Sequence, residues 1–254
     1  MGALRPSAWY SAAKAVTTTD TQGHVRMHLK KAKDTAVDGL TRIGTLVPRQ
    51  AVRAADSALN YVEVGRWLKT EGFISAGRLS NRYDVFRVIA DEIVGERVLY
   101  LEFGVFKGTS MRRWSSLLRN PGSQLHGFDK FVGLPERWQG EMEAYSASGV
   151  IPKFDDPRVE LHVGWFSETL PDFALPDHEQ LVINIDADLY SSTKYVLESL
   201  RDSIVVGSFL YFDEFQFREH ELKAFEEHLR ESGYNYRLVA CSVGLRGVAF
   251  QRVG

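Results

Sequence analysis

Two short apolar runs in the second half of the chain end in acid. One closes with Asn184-Ile185-Asp186-Ala187-Asp188 and the other with Tyr211-Phe212-Asp213-Glu214. If the runs are neighbouring parallel strands, their carboxylates meet on one rim of the sheet, where ligands of open α/β sheets bind. Left unpaired, those charges repel and raise one another's pKa. A hard divalent cation relieves the repulsion, and Mg²⁺ takes oxygen ligands while leaving positions open for water or substrate. Mn²⁺ favours the same donors, so either ion suits the set. On this reading Asp186, Asp213 and Glu214 ligate the metal, and Asp188 is left as a general base. The other reading makes these acids helix N-caps. Asp188, just ahead of Ser191-Ser192, suits that role.

A second constellation lies upstream, in Leu101-Glu102-Phe103-Gly104-Val105-Phe106-Lys107-Gly108-Thr109-Ser110. Gly104 and Gly108 let a backbone turn tightly and approach a ligand closely. Thr109 and Ser110 then open a helix whose N-terminal amides can receive a carboxylate. Glu102 can accept from an ammonium group such as that of methionine. The same glycines also read as nothing more than a tight strand-to-helix turn. Asp129 follows the turn by about twenty residues, the interval at which an acid accepts hydrogen bonds from both ribose hydroxyls in dinucleotide folds. Together the turn and Asp129 indicate a nucleoside ligand. NAD stays open, although the turn lacks the G-x-G-x-x-G form that favours a pyrophosphate. Trp165 and Phe166 either flank an adenine ring or belong to the core.

These residues need a scaffold, and the chain changes character near Arg97. Before it, Val52, Ala55, Leu59, Val62 and Arg66-Trp67 recur at helical spacing, as do Tyr83, Phe86, Ile89, Ala90 and Ile93. After it, apolar strands alternate with helices, the pattern of a parallel sheet covered on both faces. The expected strands are Arg97–Phe103, Gln124–Asp129, Arg158–Val163, Leu181–Asp186, Ser208–Asp213, Tyr234–Ala240 and Gly247–Arg252. Helices are expected over Thr109–Leu118, Ser192–Ser203 and Glu219–Ser232, and the last two strands should form an antiparallel edge hairpin. The stretch Gly133–Asp156 has no clear period and reads as an insertion over the site. The division expected is an N-terminal helical segment, 1–80, and a Rossmann-like α/β domain, 81–254. The stripe Val52, Leu59, Val62 and Trp67 must be buried somewhere, which suggests a lid or a dimer contact.

Bulk properties exclude some classes. A formal net charge of -2 argues against nucleic-acid binding, which rests on excess Lys and Arg. No apolar run is long enough to span a bilayer, and Met1 to Val16 lacks a signal-peptide core, so stable membrane insertion is not expected. Cys241 is the single cysteine, which rules out an internal disulfide and suits a cytoplasmic home. The basic stretch Arg26 to Arg53 reads as a solvated helix face, and so does Lys194.

Four ordered motifs carry a family resemblance. They are Glu102-Phe103-Gly104-Val105-Phe106-Lys107-Gly108, Phe128-Asp129-Lys130-Phe131-Val132-Gly133-Leu134-Pro135-Glu136, Gly164-Trp165-Phe166-Ser167-Glu168-Thr169-Leu170-Pro171 and Ile185-Asp186-Ala187-Asp188-Leu189-Tyr190-Ser191-Ser192-Thr193-Lys194. From about Tyr83 onward the chain resembles the macrocin O-methyltransferase (TylF-like) family, which modifies natural-product sugars. The resemblance implies a class I methyltransferase fold, S-adenosylmethionine, Mg²⁺, a hydroxyl acceptor and a homodimer or larger assembly. It maps Asp186 to the first metal acid, Asp188 to the base, and Asp213 and Glu214 to the paired acids. The family usually has Asp-Asp at the last pair, so Glu214 departs from it, as does Phe215-Gln216-Phe217-Arg218-Glu219-His220 from a glycine-containing segment. A catechol-type O-methyltransferase is the alternative enzyme. It uses a lysine shortly after the first metal acid, where this chain has Ala187, Asp188 and Leu189. A scaffold that has lost turnover is the alternative outside enzymes.

Overall fold

The computed structural model describes residues 21–73, 77–136 and 147–254. These fall into two compact units that meet in sequence at Asp56 and Ser57. The first holds helix α1 (Thr21–Gly44) and the start of α2 (Arg49–Thr70). From Arg26 on its side chains are exposed, including Leu29, Leu40 and the basic run. Among the described residues no helix is long and apolar enough to cross a membrane.

The second unit is a Rossmann-like α/β layer structure. Its strands are β1 (Val98–Phe103), β2 (Gln124–Asp129), β3 (Val159–Val163), β4 (Gln180–Ile185), β5 (Phe209–Phe212), β6 (Tyr236–Cys241) and β7 (Val248–Arg252). They form one seven-stranded sheet in the order β3-β2-β1-β4-β5-β7-β6. The first five in chain order are parallel, and β7 enters antiparallel between β5 and β6. The expected architecture and all the expected strands are present, their ends shifted by a residue or two. The chain order reverses between β1 and β4, which makes a crevice at their carboxyl ends.

The helices are α3 (Arg82–Glu92), α4 (Thr109–Leu117), α5 (Phe166–Thr169), α6 (Tyr190–Ser199) and α7 (Glu221–Ser232). The four-residue α5 follows β3 and was not among the expected helices. Strand β1 is buried along its whole length and feeds two cores by alternation. Leu99, Leu101 and Phe103 join the layer with α6 and α7, while Val98 and Tyr100 join the layer with α3 and α4.

Helix α2 divides the expected apolar stripe, and one expectation, for Lys194, is corrected. On α2, Val64 and Leu68 are buried and Trp67 packs on the core, but Leu59 and Val62 are exposed. Val62 lies about 200° around the helix from Val64, so of the expected stripe Trp67 faces inward while Leu59 and Val62 do not. Lys194 is not simply solvated. Its Nζ donates to Glu227 at 2.6 Å, which ties α6 to α7 together with Glu231 at 3.5 Å.

A clamp holds the sheet's edge strand. At the head of β3, the Arg158 guanidinium donates to the carbonyls of Ser115 in the last turn of α4 and of Leu118 and Asn120 just after it, and to Asp156 at 2.7 Å. The Arg158 hydrogen bond holds the Asp156 carboxyl well below the usual carboxylate range, and Ser115 reinforces it. A depressed pKa stabilises the fold above the unfolded value and is lost as pH falls through the folded value. Asp156→Ala should therefore cost about 2 kcal/mol at neutral pH, with the gap from the native protein closing below about pH 4. Urea denaturation across pH measures this; a gap that persists unchanged into acid would remove the ion pair as its cause.

Candidate active site

A cleft of about 560 Å³ opens at the carboxyl ends of the central strands. That is the size of a pocket for one small organic ligand. Its floor is Gly104 after β1, Asp129 after β2, and Asp186, Ala187 and Asp188 after β4. Asp213 and Glu214 after β5 line one side, with Arg82 from α3. Trp165 and Phe166 line another, and Gly133, Leu134 and Pro135 close over part of it. Those three belong to the stretch read as an insertion; residues 137–146 of it lie outside the described residues.

The switch point requires Gly104. Its φ is +96°, and a Cβ there would stand 1.9 Å from the Asp186 carbonyl oxygen. Only glycine lets the two strand ends approach so closely. Gly108 also has a positive φ and begins α4. Gly108, Thr109 and Ser110 do not line the cleft, and Ser110 is buried.

Asp129 is committed to the turn above it. One carboxylate oxygen accepts from the Val105 and Phe106 amides at 2.8 and 2.7 Å, and the other from the Phe131 amide at 2.6 Å. A carboxylate offers about four lone-pair sites, so about one is left for a ligand in the cleft. Glu102 is placed differently from the expectation. It shares the face of Tyr100, is buried, and accepts from the Tyr100 hydroxyl at 2.8 Å, which in turn accepts from Asn184 at 2.7 Å. Burial pushes its carboxyl up to about 8, against the Tyr100 hydrogen bond. Glu102 does not line the cleft.

Asp188 has φ +58°, a left-handed conformation that Asp tolerates better than most residues. Helix α6 begins at Tyr190 with Leu189 at its N-cap and no side-chain cap bond, so Asp188 is not capping it. Helix α7 likewise has His220 at its N-cap, so neither Asp213 nor Glu214 serves there. Burial pushes the Asp188 carboxyl up to about 8, and Glu214 and Asp213 push the same way. Glu214 is raised to about 7, by burial first and then by Asp213. Burial and Asp213 also raise Asp186 well above the carboxylate range.

Arg82, which sequence reasoning did not single out, completes the rim, and Glu221, also missed, lies buried behind it. Arg82 donates to Asp213 at 2.6 Å and reaches Asp186 at 3.5 Å. It stands in the first turn of α3, whose start Asn81 fixes by accepting from the Tyr83 and Asp84 amides. The Asn-Arg-Tyr-Asp run signals a capped helix, but nothing local signals that Arg82 meets acids 104 and 131 residues away. Glu221 is fully buried; one oxygen accepts from the Glu214 amide, and the other has no partner among the described residues. Tyr211 donates to the far oxygen of Asp213 at 2.8 Å.

Asp186, Asp213 and Glu214 are all hard oxygen donors, and Glu214 Oε2 is buried with no hydrogen-bond partner among the described residues. Their chemistry suits a divalent cation, but among the described residues their ligand oxygens do not all lie within 4.8 Å of one another, and Arg82 occupies Asp213 and Asp186. On the opposite wall Trp165 carries Lys130 over its ring at 5.8 Å, while Phe166 meets Phe103 edge-on at 5.3 Å. Both aromatics therefore line the cleft, and Phe166 also joins the core.

Comparison with known proteins places this geometry in a family. A tetracenomycin-C methyltransferase of Streptomyces olivaceus, 8-demethyl-8-(2,3-dimethoxy-alpha-L-rhamnosyl)-tetracenomycin-C 4'-O-methyltransferase, is 32% identical over 161 residues. The match covers 54% of this chain and 60% of that protein, so the chain spans about 60% of the relative's length. The solved O-methyltransferase NovP superposes with a TM-score of 0.54 at 21% identity, over 68% of this chain and 80% of that one, and shares the fold. Residues 69–252 match the macrocin-O-methyltransferase (TylF) family, and the protein belongs to it.

Proposed function

We propose that the protein is a metal-dependent O-methyltransferase that moves the methyl group of S-adenosylmethionine to a sugar hydroxyl of a natural product. The carrying observation is that the cleft joins the Gly104 turn and Asp129 to the acidic rim, with Asp188 between them. Family membership supports methyl transfer to oxygen, and the tetracenomycin relative supports a glycosyl acceptor.

S-adenosylmethionine supplies an electrophilic methyl carbon on a sulfonium. The turn after β1 and Asp129 would hold its nucleoside part, with Trp165 and Phe166 as the apolar wall beside it. Asp188 takes the proton of the acceptor hydroxyl as the new O–C bond forms and the C–S bond breaks. A carboxyl raised to about 8 is a stronger base than an ordinary aspartate once ionised. In-line displacement depends on placement, so a rigid floor made by one Gly104 contact contributes to rate by orienting both reactants.

Asp186, Asp213 and Glu214 would hold Mg²⁺ or Mn²⁺, whose charge lowers the pKa of a neighbouring hydroxyl. Arg82 competes with that ion for Asp186 and Asp213. The protein would act as a homodimer or larger assembly that covers Leu59 and Val62.

Two variants test this reading. Asp188→Asn should lower kcat/KM for sugar-bearing acceptors by about 10²- to 10⁴-fold while binding S-adenosylhomocysteine as the native protein does. Turnover close to native would remove Asp188 as the base. Arg82→Met, with divalent ions chelated, should cost about 3 kcal/mol, because Asp186 and Asp213 lose their cation. Added Mg²⁺ should stabilise the variant more than the native protein in thermal denaturation. Equal response of the two would separate Arg82 from the metal acids.

A further inference from the structure

A second cluster of donors lies on the edge of the sheet, outside the acidic rim. His126 on β2 stands opposite Glu160 on β3, and Phe128 opposite His162. The period of the strands puts all of these on one face. His126 Nδ1 is 3.1 Å from His162 Nε2 and 3.9 Å from Glu160 Oε2. Among the described residues, this trio has its three ligand atoms within 4.8 Å of one another.

Two nitrogens bound to one zinc ion at about 2.0–2.1 Å stand roughly 3.3 Å apart at the tetrahedral angle. The 3.1 Å separation of His126 and His162 is close to that. A hydrogen bond between neutral imidazoles accounts for this distance too, but it needs no carboxylate at the same point. His126 Nε2 faces Gln124 Oε1 at 3.4 Å, which favours the proton on that far nitrogen. The Nδ1 lone pair is then turned toward His162 and Glu160, as outer contacts orient a ligating histidine.

The rings are held in place before any ion arrives. His162 stacks on Phe128 at 4.5 Å, and Phe173 packs against His126 and His162 at 5.0 and 5.1 Å. Glu160 is 67% exposed, so the cluster opens to solvent on its carboxylate side. Two imidazoles and one carboxylate select a borderline ion such as Zn²⁺ over Mg²⁺.

We propose that His126, His162 and Glu160 form a binding site for a transition-metal ion of the Zn²⁺ class, separate from the oxygen-donor acids of the cleft. Such an ion clips β3 to β2. Strand β3 leads directly into Gly164 and Trp165, so the clip would stiffen a wall of the cleft.

Co²⁺ is the probe, added to the chelator-treated full chain in excess Mg²⁺ so that oxygen sites are filled. The expected result is one equivalent of Co²⁺ with the intense visible bands of a tetrahedral site, displaced by Zn²⁺. His162→Phe keeps the stack on Phe128 and removes the nitrogen; Glu160→Gln alters only an exposed side chain. Each should weaken Co²⁺ binding by at least about tenfold. Asp213→Asn should leave the bands unchanged. Native protein without the bands, or bands that survive in Glu160→Gln and in folded His162→Phe, overturns the proposal. If His162→Phe fails to fold, Glu160→Gln alone decides.

Discussion

The ends of β4 and β5 bring more carboxyl groups into one half-enclosed space than nearby cations neutralise. Asp186, Asp188, Asp213 and Glu214 line the same cleft, and Arg82 is the guanidinium that touches two of them. Burying charge without a partner is costly, so the groups either pair or hold protons. Both outcomes occur. Asp213 pairs with Arg82 and accepts from Tyr211, while Asp188 and Glu214 shift up to about 8 and 7. Burial raises Glu221, beneath them, well above its usual range.

A positive or proton-accepting group entering the cleft would relieve what imbalance remains. The strand ends are tied together by backbone hydrogen bonds, the Asp186 amide donating to Phe103 and the Asp213 amide to Ile185, which resist their moving apart to relieve it. The left-handed turn at Asp188 then lifts this carboxyl into the cleft rather than onto the start of α6. Strain at one residue and repulsion among several are thus concentrated where a sulfonium, a metal ion and an acidifying hydroxyl would meet. The opposite wall is of another kind: Trp165 and Phe166 bring aromatic surface, and α5 is too short to contribute more than their placement.

Much of this was readable in the sequence. Strands buried on both faces announce themselves as continuous apolar runs, so the sheet and the acids that end its strands could be placed from residues alone. What escaped has a common cause. Arg82, Glu221 and the Tyr100–Glu102–Asn184 chain act through partners far away in sequence or across the sheet, and alternation sends Glu102 inward although it stands near a strand end. On α2 the expected stripe placed Trp67 but not Val64 and Leu68 on the inward face: Val62 and Val64 are two residues apart and equally apolar, and only tertiary packing chooses between them. Lys194 looked like a surface lysine because its shortest ion pair, with Glu227, reaches another helix.

The central claim is that this cleft receives S-adenosylmethionine beside the acidic rim. Calorimetric titration of the full chain with S-adenosylhomocysteine, with and without Mg²⁺, tests it most directly. The account predicts binding of one equivalent in both conditions, since on the proposed reading the metal acids would serve the acceptor and the nucleoside would rest on the Gly104 turn and Asp129. Absence of binding in both conditions would contradict it.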